Sequence, residues 1–184
     1  MIILQAMNLR WIDGMDQPND LCAHGDVRFQ VETTELVSPE DNGQDLNISA
    51  TALHLLRTLS TPHTQSEPIC SQLFPHCGHF LVDEPNREDV LIVGGCPAGV
   101  DFEVLHRRSP TQLDEDSIVI RSDDNLEWCV DWREWRTAVF HFADTITDFY
   151  AASSPKRPNT QLAAKGFQKF QEEWKRRREK ELVR

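Results

Sequence analysis

The chain reads as an α+β protein: a mostly antiparallel sheet of about five to seven short strands, with three helices packed mainly on one face. Three observations predict this. Short stretches of period-two hydrophobicity follow one another through residues 79–130 with no helical pattern between them. Two stretches after residue 131 carry apolar residues at three- and four-residue spacing, the period of a helix with one buried face. A further helical stretch, near residues 50–59, interrupts the strands early.

In chain order, residues 26–37 (DVRFQVETTELV) set Val27, Phe29 and Val31 against Arg28, Gln30 and Glu32, as in a half-buried strand. Residues 38–45, with Pro39, Asn42 and Gly43, form a polar turn. Ser49 is the expected N-cap of a helix whose Ala52, Leu55, Leu56 and Leu59 share a face, and Thr61-Pro62 ends it. Residues 62–78 are a long connection rich in His, Cys and Pro. Strands are expected at 79–83, 89–93, 100–105, 117–121 and 126–130. Ser122-Asp123-Asp124-Asn125 forms the hairpin turn between the last two.

Asp131 and Glu134 make a capping-box-like pair at the head of the clearest helix. Trp135, Ala138, Val139, Phe142, Ile146, Phe149 and Tyr150 form its stripe, to about Ala151. After the linker SSPKRPN, a last helix from near Thr160 docks through Ala163, Phe167, Phe170 and Trp174. Beyond Trp174 the pattern stops, so KRRREKELVR is expected to be solvated and frayed. Residues 1–155 are thus one α+β domain, and 156–184 a linker plus a C-terminal helix with a basic end, docked on the same domain.

Charge is segregated along the chain. Residues 1–155 hold 26 Asp and Glu against 9 Lys and Arg, a formal −17, whereas residues 156–184 carry +6. An anionic body repels phosphates, so nucleic acid is an unsuitable partner and a basic protein a suitable one. The opening MIILQAMNLRW lacks the basic start and uninterrupted apolar run of a signal peptide, and no stretch approaches the ~20 apolar residues that span a bilayer. Without an export signal the five cysteines read as reduced thiols. A cytoplasmic location and no membrane partner are therefore expected. The oligomeric state is left open.

Four constellations carry residue types capable of chemistry or contact. His76, Cys77, His79 and Cys96, with Cys22 and His24 further off, are residue types that zinc prefers, but no Cys-x-x-Cys spacing supports a zinc site. Zinc is accordingly the alternative, and no cofactor the main expectation. The turn Gly94-Gly95-Cys96-Pro97-Ala98-Gly99 lacks the Lys-Ser/Thr of a phosphate loop and reads as a hairpin connection needing positive φ. Cys96 as a thiol nucleophile has no histidine paired with it by the sequence. The acidic turns at Asp114, Glu115, Asp116 and at Asp123, Asp124 are solvated charge, and Trp132, off the helix stripe, is either a contact residue near them or packed against the neighbouring strand. The basic run Lys175-Arg176-Arg177-Arg178 and Lys180 either binds nucleic acid, a membrane or an acidic surface, or folds back on the chain's own carboxylates. The second reading carries more weight in so acidic a chain.

The runs LRWIDGMDQPNDLCAHGDVRFQV, ISATALHLLRTL, LFPHCGHF, VGGCPAGVDFEVLH, AVFHFADTITDFYAASSPK and GFQKFQEEW, spread from about Asn8 to Trp174, resemble a group of small bacterial proteins. That group is connected with the immunity proteins of contact-dependent or secreted toxin systems. The resemblance implies a protein that acts by binding, so it brings no catalytic residues. It implies a partner that is a basic toxin domain, since many such toxins are nucleases with basic clefts. The expectation is a non-catalytic bacterial immunity protein that neutralises a toxin through an acidic surface, with Asp114, Glu115, Asp116, Asp123, Asp124 and Trp132 at the contact. The alternative is a zinc-binding protein or enzyme on the Cys/His cluster.

Overall fold

Period-two and period-3.6 segments sort, among the described residues, into nine strands and three helices, in the order β1 (Ile2–Arg10), β2 (His24–Val31), β3 (Thr34–Val37), β4 (Leu46–Asn47), α1 (Ile48–Thr58), β5 (Phe80–Val82), β6 (Leu91–Val93), β7 (Glu103–Arg107), β8 (Ser117–Arg121), β9 (Glu127–Asp131), α2 (Trp132–Ala152) and α3 (Gln161–Lys180). This is a computed structural model, and it describes residues 1–76, 80–94, 96–107 and 116–180. The α+β class and the antiparallel pairing agree with the sequence reading. The strands belong to three sheets rather than one: β1–β2–β3 with β4 beside β2, β5–β6, and β7–β8–β9.

The apolar opening of the chain is strand β1. Ile2, Leu4 and Ala6 lie opposite Val31, Phe29 and Val27 of β2 and share their core face. Residues 26–37 are not one strand. At Glu32 the backbone turns to φ 55°, and β3 folds back on β2. Phe29 then meets Phe102 at 5.0 Å, Phe74 at 6.0 Å and the edge of Trp135 at 5.9 Å, which joins strand, connection and helix in one aromatic core.

Helix α1 is capped by Asn47, not Ser49: the Asn47 side chain accepts from the Ala50 N–H at 3.0 Å. Pairing of Asn47 with His24 places that cap, so a tertiary contact decides the start of the helix. Ser49 instead accepts from the Ala23 N–H at 2.8 Å and lies 2.8 Å from the Tyr150 hydroxyl. Every residue of α1 is buried, including the polar face that the periodicity assigned to solvent.

Asp131 caps α2 by accepting from the Arg133 and Glu134 N–H groups at 2.8 and 3.0 Å. Glu134 does not complete a capping box. Its carboxylate accepts from the Ile2 N–H at 2.7 Å and pairs with the terminal ammonium at 3.3 Å. At the other end Phe149 and Tyr150 stand 4.9 and 5.4 Å from Trp11. The 21-residue helix and the nine-residue strand, each roughly 30 Å long, therefore run side by side along their whole length.

Helix α3 starts behind Thr160, whose hydroxyl accepts from the Ala163 N–H at 3.1 Å. Phe167 and Phe170 bury against Leu53 and Val90. Contrary to the frayed end expected after Trp174, the helix continues to Lys180. The turn at 94–99 does not close a hairpin either, because β6 pairs with β5 and β7 with β8. It carries the chain from one sheet to the next. Gly99 is there for close approach rather than positive φ: a Cβ would fall 2.5 Å from the Phe74 carbonyl oxygen.

Gly166 lets α3 approach the body closely, since a Cβ there would collide with the Leu81 backbone carbonyl. Gly166→Ala is expected to destabilise the protein by roughly 1–3 kcal/mol through overpacking, despite alanine's better helix propensity. Urea unfolding followed by circular dichroism measures it, and an unchanged midpoint would show that α3 is not held there.

Candidate functional site

The basic end of α3 meets the body's carboxylates. Arg57 of α1, 5% exposed, forks onto Glu173 of α3, 0% exposed, through Nε–Oε1 and Nη2–Oε2 bonds of 2.8 Å each. Arg57 Nη2 also donates to the Val90 carbonyl at 2.7 Å, and the Val90 N–H donates to Glu173 Oε2 at 2.9 Å. Arg177 reaches Glu173 and Asp89 at 2.7 Å each, Arg176 reaches Asp89 at 2.5 Å and Glu88 at 3.2 Å, and Arg178 reaches Asp144 at 2.7 Å. Burial alone would raise the Glu173 carboxyl, but hydrogen bonds and charge from Arg57 and Arg177 outweigh it and hold the group below the usual carboxylate range.

Elsewhere several further cations of the body and of the C-terminal segment are matched to nearby acids. Arg10 pairs with Asp45, Arg28 with Glu35 and Glu40, Arg121 with Glu103 and Glu127, Lys156 with Asp16, and Lys169 with Asp83. Asp13, Glu32, Asp41, Glu67, Asp123 and Asp148 are exposed and make no ion pair among the described residues. The excess negative charge is thus carried on turns and helix surface.

Of the sequence-predicted contact residues, Asp114 and Glu115 lie outside the described residues. Asp116 and Trp132 come together: the Trp132 N–H donates to the Asp116 carbonyl at 3.1 Å, at the base of the β8–β9 hairpin. Trp132 is half-buried against the core, with the Arg136 guanidinium 5.5 Å from its ring centroid. Asp123 and Asp124 are exposed at the hairpin tip, where Asp124 accepts from the Ser122 hydroxyl. Five residues of β8, roughly 17 Å, separate the two groups, so they flank one strand pair rather than forming one patch.

Of the zinc alternative, Cys77 and His79 lie outside the described residues. Among the described residues, no three His, Cys, Asp or Glu side chains are placed to hold a metal ion. His76 is half-buried, and its Nδ1 has no hydrogen-bond partner among the described residues. Cys22, Cys70, Cys96 and Cys129 are free thiols.

The structure pairs a different thiol with a histidine. His63 Nε2 lies 3.2 Å from both Asp101 carboxylate oxygens, and His63 Nδ1 lies 3.9 Å from Cys70 Sγ. Asp101 also accepts from the Leu73 N–H at 2.8 Å. The residues are 7 and 38 positions apart from His63, and nothing in the spacing signals them. The geometry resembles a nucleophile–base–carboxylate relay, but two features hold it at rest. The Ile69 N–H donates to His63 Nδ1 at 3.2 Å, and burial pushes the Cys70 thiol up to about 12. The thiol therefore stays protonated at neutral pH. What the trio does is fasten the 62–76 connection to β7, where His63 and Val104 exchange backbone bonds of 2.9 and 2.8 Å.

No family model, curated protein or solved structure matches the chain. Among the described residues, no helix is long and apolar enough to cross a membrane.

Two outcomes follow from these environments. Cys22, pushed up to about 11 by burial, and Cys70 should be alkylated by iodoacetamide at pH 8 on the order of 100-fold more slowly than exposed Cys129, read by peptide mass mapping. Equal rates at Cys70 and Cys129 would mean a poised nucleophile. Glu173→Gln should cost about 3–5 kcal/mol near neutral pH by leaving Arg57 buried without a counter-charge. Because the Glu173 carboxyl is depressed in the fold, its contribution is complete above its ordinary value of 4.5 and fades as pH falls further. The gap in urea midpoint between wild type and Glu173→Gln should therefore narrow from pH 5 to pH 2, and a constant gap would contradict the assignment.

Proposed function

We propose that this chain is a non-catalytic binding protein that recognises a basic protein partner through its acidic surface, and that the partner is a bacterial toxin domain which it neutralises. The observation that carries the reading is the folding back of the basic tail. Arg176, Arg177 and Arg178 are matched by the chain's own Glu88, Asp89, Glu173 and Asp144, so the tail is not a free cationic arm. The surface left for a partner is anionic, with exposed carboxylates at Asp13, Glu32, Asp41, Glu67, Asp123 and Asp148. A field of that sign draws in a cationic cleft and repels nucleic acid. The protonated, hydrogen-bonded Cys70 supports a binding role over a thiol-based one.

The test is coexpression with a secreted toxin encoded beside this chain, followed by association kinetics on the purified pair. Growth should be restored. The association rate should fall on the order of tenfold or more between 50 and 500 mM salt, with the dissociation rate little changed. A toxin that kills regardless, or an association rate indifferent to salt, would remove the acidic-surface account.

A further inference from the structure

Among the described residues, the outer edge of β9 is an open strand edge with carboxylates at its ends. β9 is the terminal strand of its sheet. The Ser122 N–H donates to the Leu126 carbonyl and the Trp132 N–H to the Asp116 carbonyl, which fixes the alternation along the hairpin. With Ile118 opposite Val130 and Ile120 opposite Trp128 as the bonded pairs between them, the N–H and C=O groups of Glu127, Cys129 and Asp131 point away from β8. No hydrogen bond meets the outward N–H and C=O of Glu127 and Cys129 among the described residues, and both side chains are exposed. From Ser122 to Trp132 the chain carries Asp123, Asp124, Glu127 and Asp131 and no Lys, Arg or His; Glu127 is paired across the strand with Arg121 of β8, so the charge without an ion pair among the described residues lies at the hairpin tip and at Asp131.

Building on the reading of a basic protein partner, we propose that β9 accepts an extended, cationic segment of that partner as a fourth strand of the β7–β8–β9 sheet. An extended backbone matches outward N–H and C=O groups in this spacing and displaces the water on them. The side chains of the added strand alternate. Those on the face of Glu127 and Cys129 are Lys or Arg, and those on the face of half-buried Trp128 are apolar. A second copy of this chain is disfavoured by the same charges. A two-fold antiparallel pairing centred on Cys129 sets Glu127 directly opposite Asp131, and like charges opposite one another destabilise a strand pair. The edge also ends at both acidic groups singled out above, with Asp123 and Asp124 at one end and Asp116 and Trp132 at the other, so one extended segment spans both.

The probe is a capped seven-residue peptide alternating valine and lysine, titrated into the full-length chain. Fluorescence anisotropy reads the affinity, and amide hydrogen exchange reads the site. Saturable binding with new protection at Glu127 and Cys129 supports the proposal, as does about tenfold or greater weakening when alternate peptide nitrogens on the bonding edge are methylated. That comparison leaves the protein unaltered. Cys129→Pro removes one outward N–H without touching the ladder to β8, a place where edge strands tolerate proline, and should weaken the peptide to a similar degree. Equal binding of the methylated peptide, equal binding of a valine–glutamate peptide, protection elsewhere, or a β9-paired dimer in sedimentation would each overturn it. A toxin complex that is salt-sensitive but unaffected by Cys129→Pro would end this inference and leave the proposed function standing. Peptide capture at β9 alongside failure to protect against any toxin would do the reverse.

Discussion

The fold turns on a buried carboxylate. Glu173 is fully inside the protein and is held by Arg57, Arg177 and the Val90 backbone N–H. Removing two charges from water costs several kcal/mol per ion unless the remaining hydrogen-bonding positions are filled. Here they are filled from α1, from α3 and from the segment before β6, so three elements distant in sequence are committed to one geometry. This explains why α1 can be buried all round. Its one formal charge leaves water only because α3 brings a partner for it.

The same pair settles the character of the tail. A run of Lys and Arg at a chain end ordinarily reads as a mobile cationic arm. Once Glu173 is fixed, the next turn of the helix places Arg176 and Arg177 against Asp89 and Glu88, and Arg178 against Asp144 while stacked on Phe140 at 3.8 Å. Helical periodicity carries the docking past Trp174, the last apolar residue of α3. Charge-matching thus takes over where hydrophobic burial stops, and the anionic remainder of the molecule is left to set how it meets other macromolecules.

The relation between the acidic turns and the strand between them is also a matter of topology. The hairpin turn at 122–125 and the cap at Asp131 were both visible in the residue types. That they bracket a strand with no strand on its far side among the described residues was not visible, because strand order depends on which elements pack beside it. The Cys70–His63–Asp101 trio has the same status. Its members come from the long connection and from the approach to β7, and the bridges of His63 with Val104 and of Phe74 with Val100 bring them together.

Local chemistry determined the parts of this protein that depend on neighbours in sequence: β2 from the alternation of Val27, Phe29 and Val31, α2 from its Asp131 cap and apolar stripe, the β8–β9 hairpin from its polar turn, and the opposed charges of body and tail. Periodicity reports which face of an element is apolar, and that face is buried whatever it packs against. Tertiary structure alone decided the rest. Asn47 displaced Ser49 as the cap because a strand pairing positioned it, Glu134 served β1 rather than its own helix, the strands divided into three sheets, and the polar face of α1 went inside. Each of these depends on a hydrogen bond or ion pair between residues far apart in the chain, and a polar side chain does not reveal whether water or a distant partner will satisfy it.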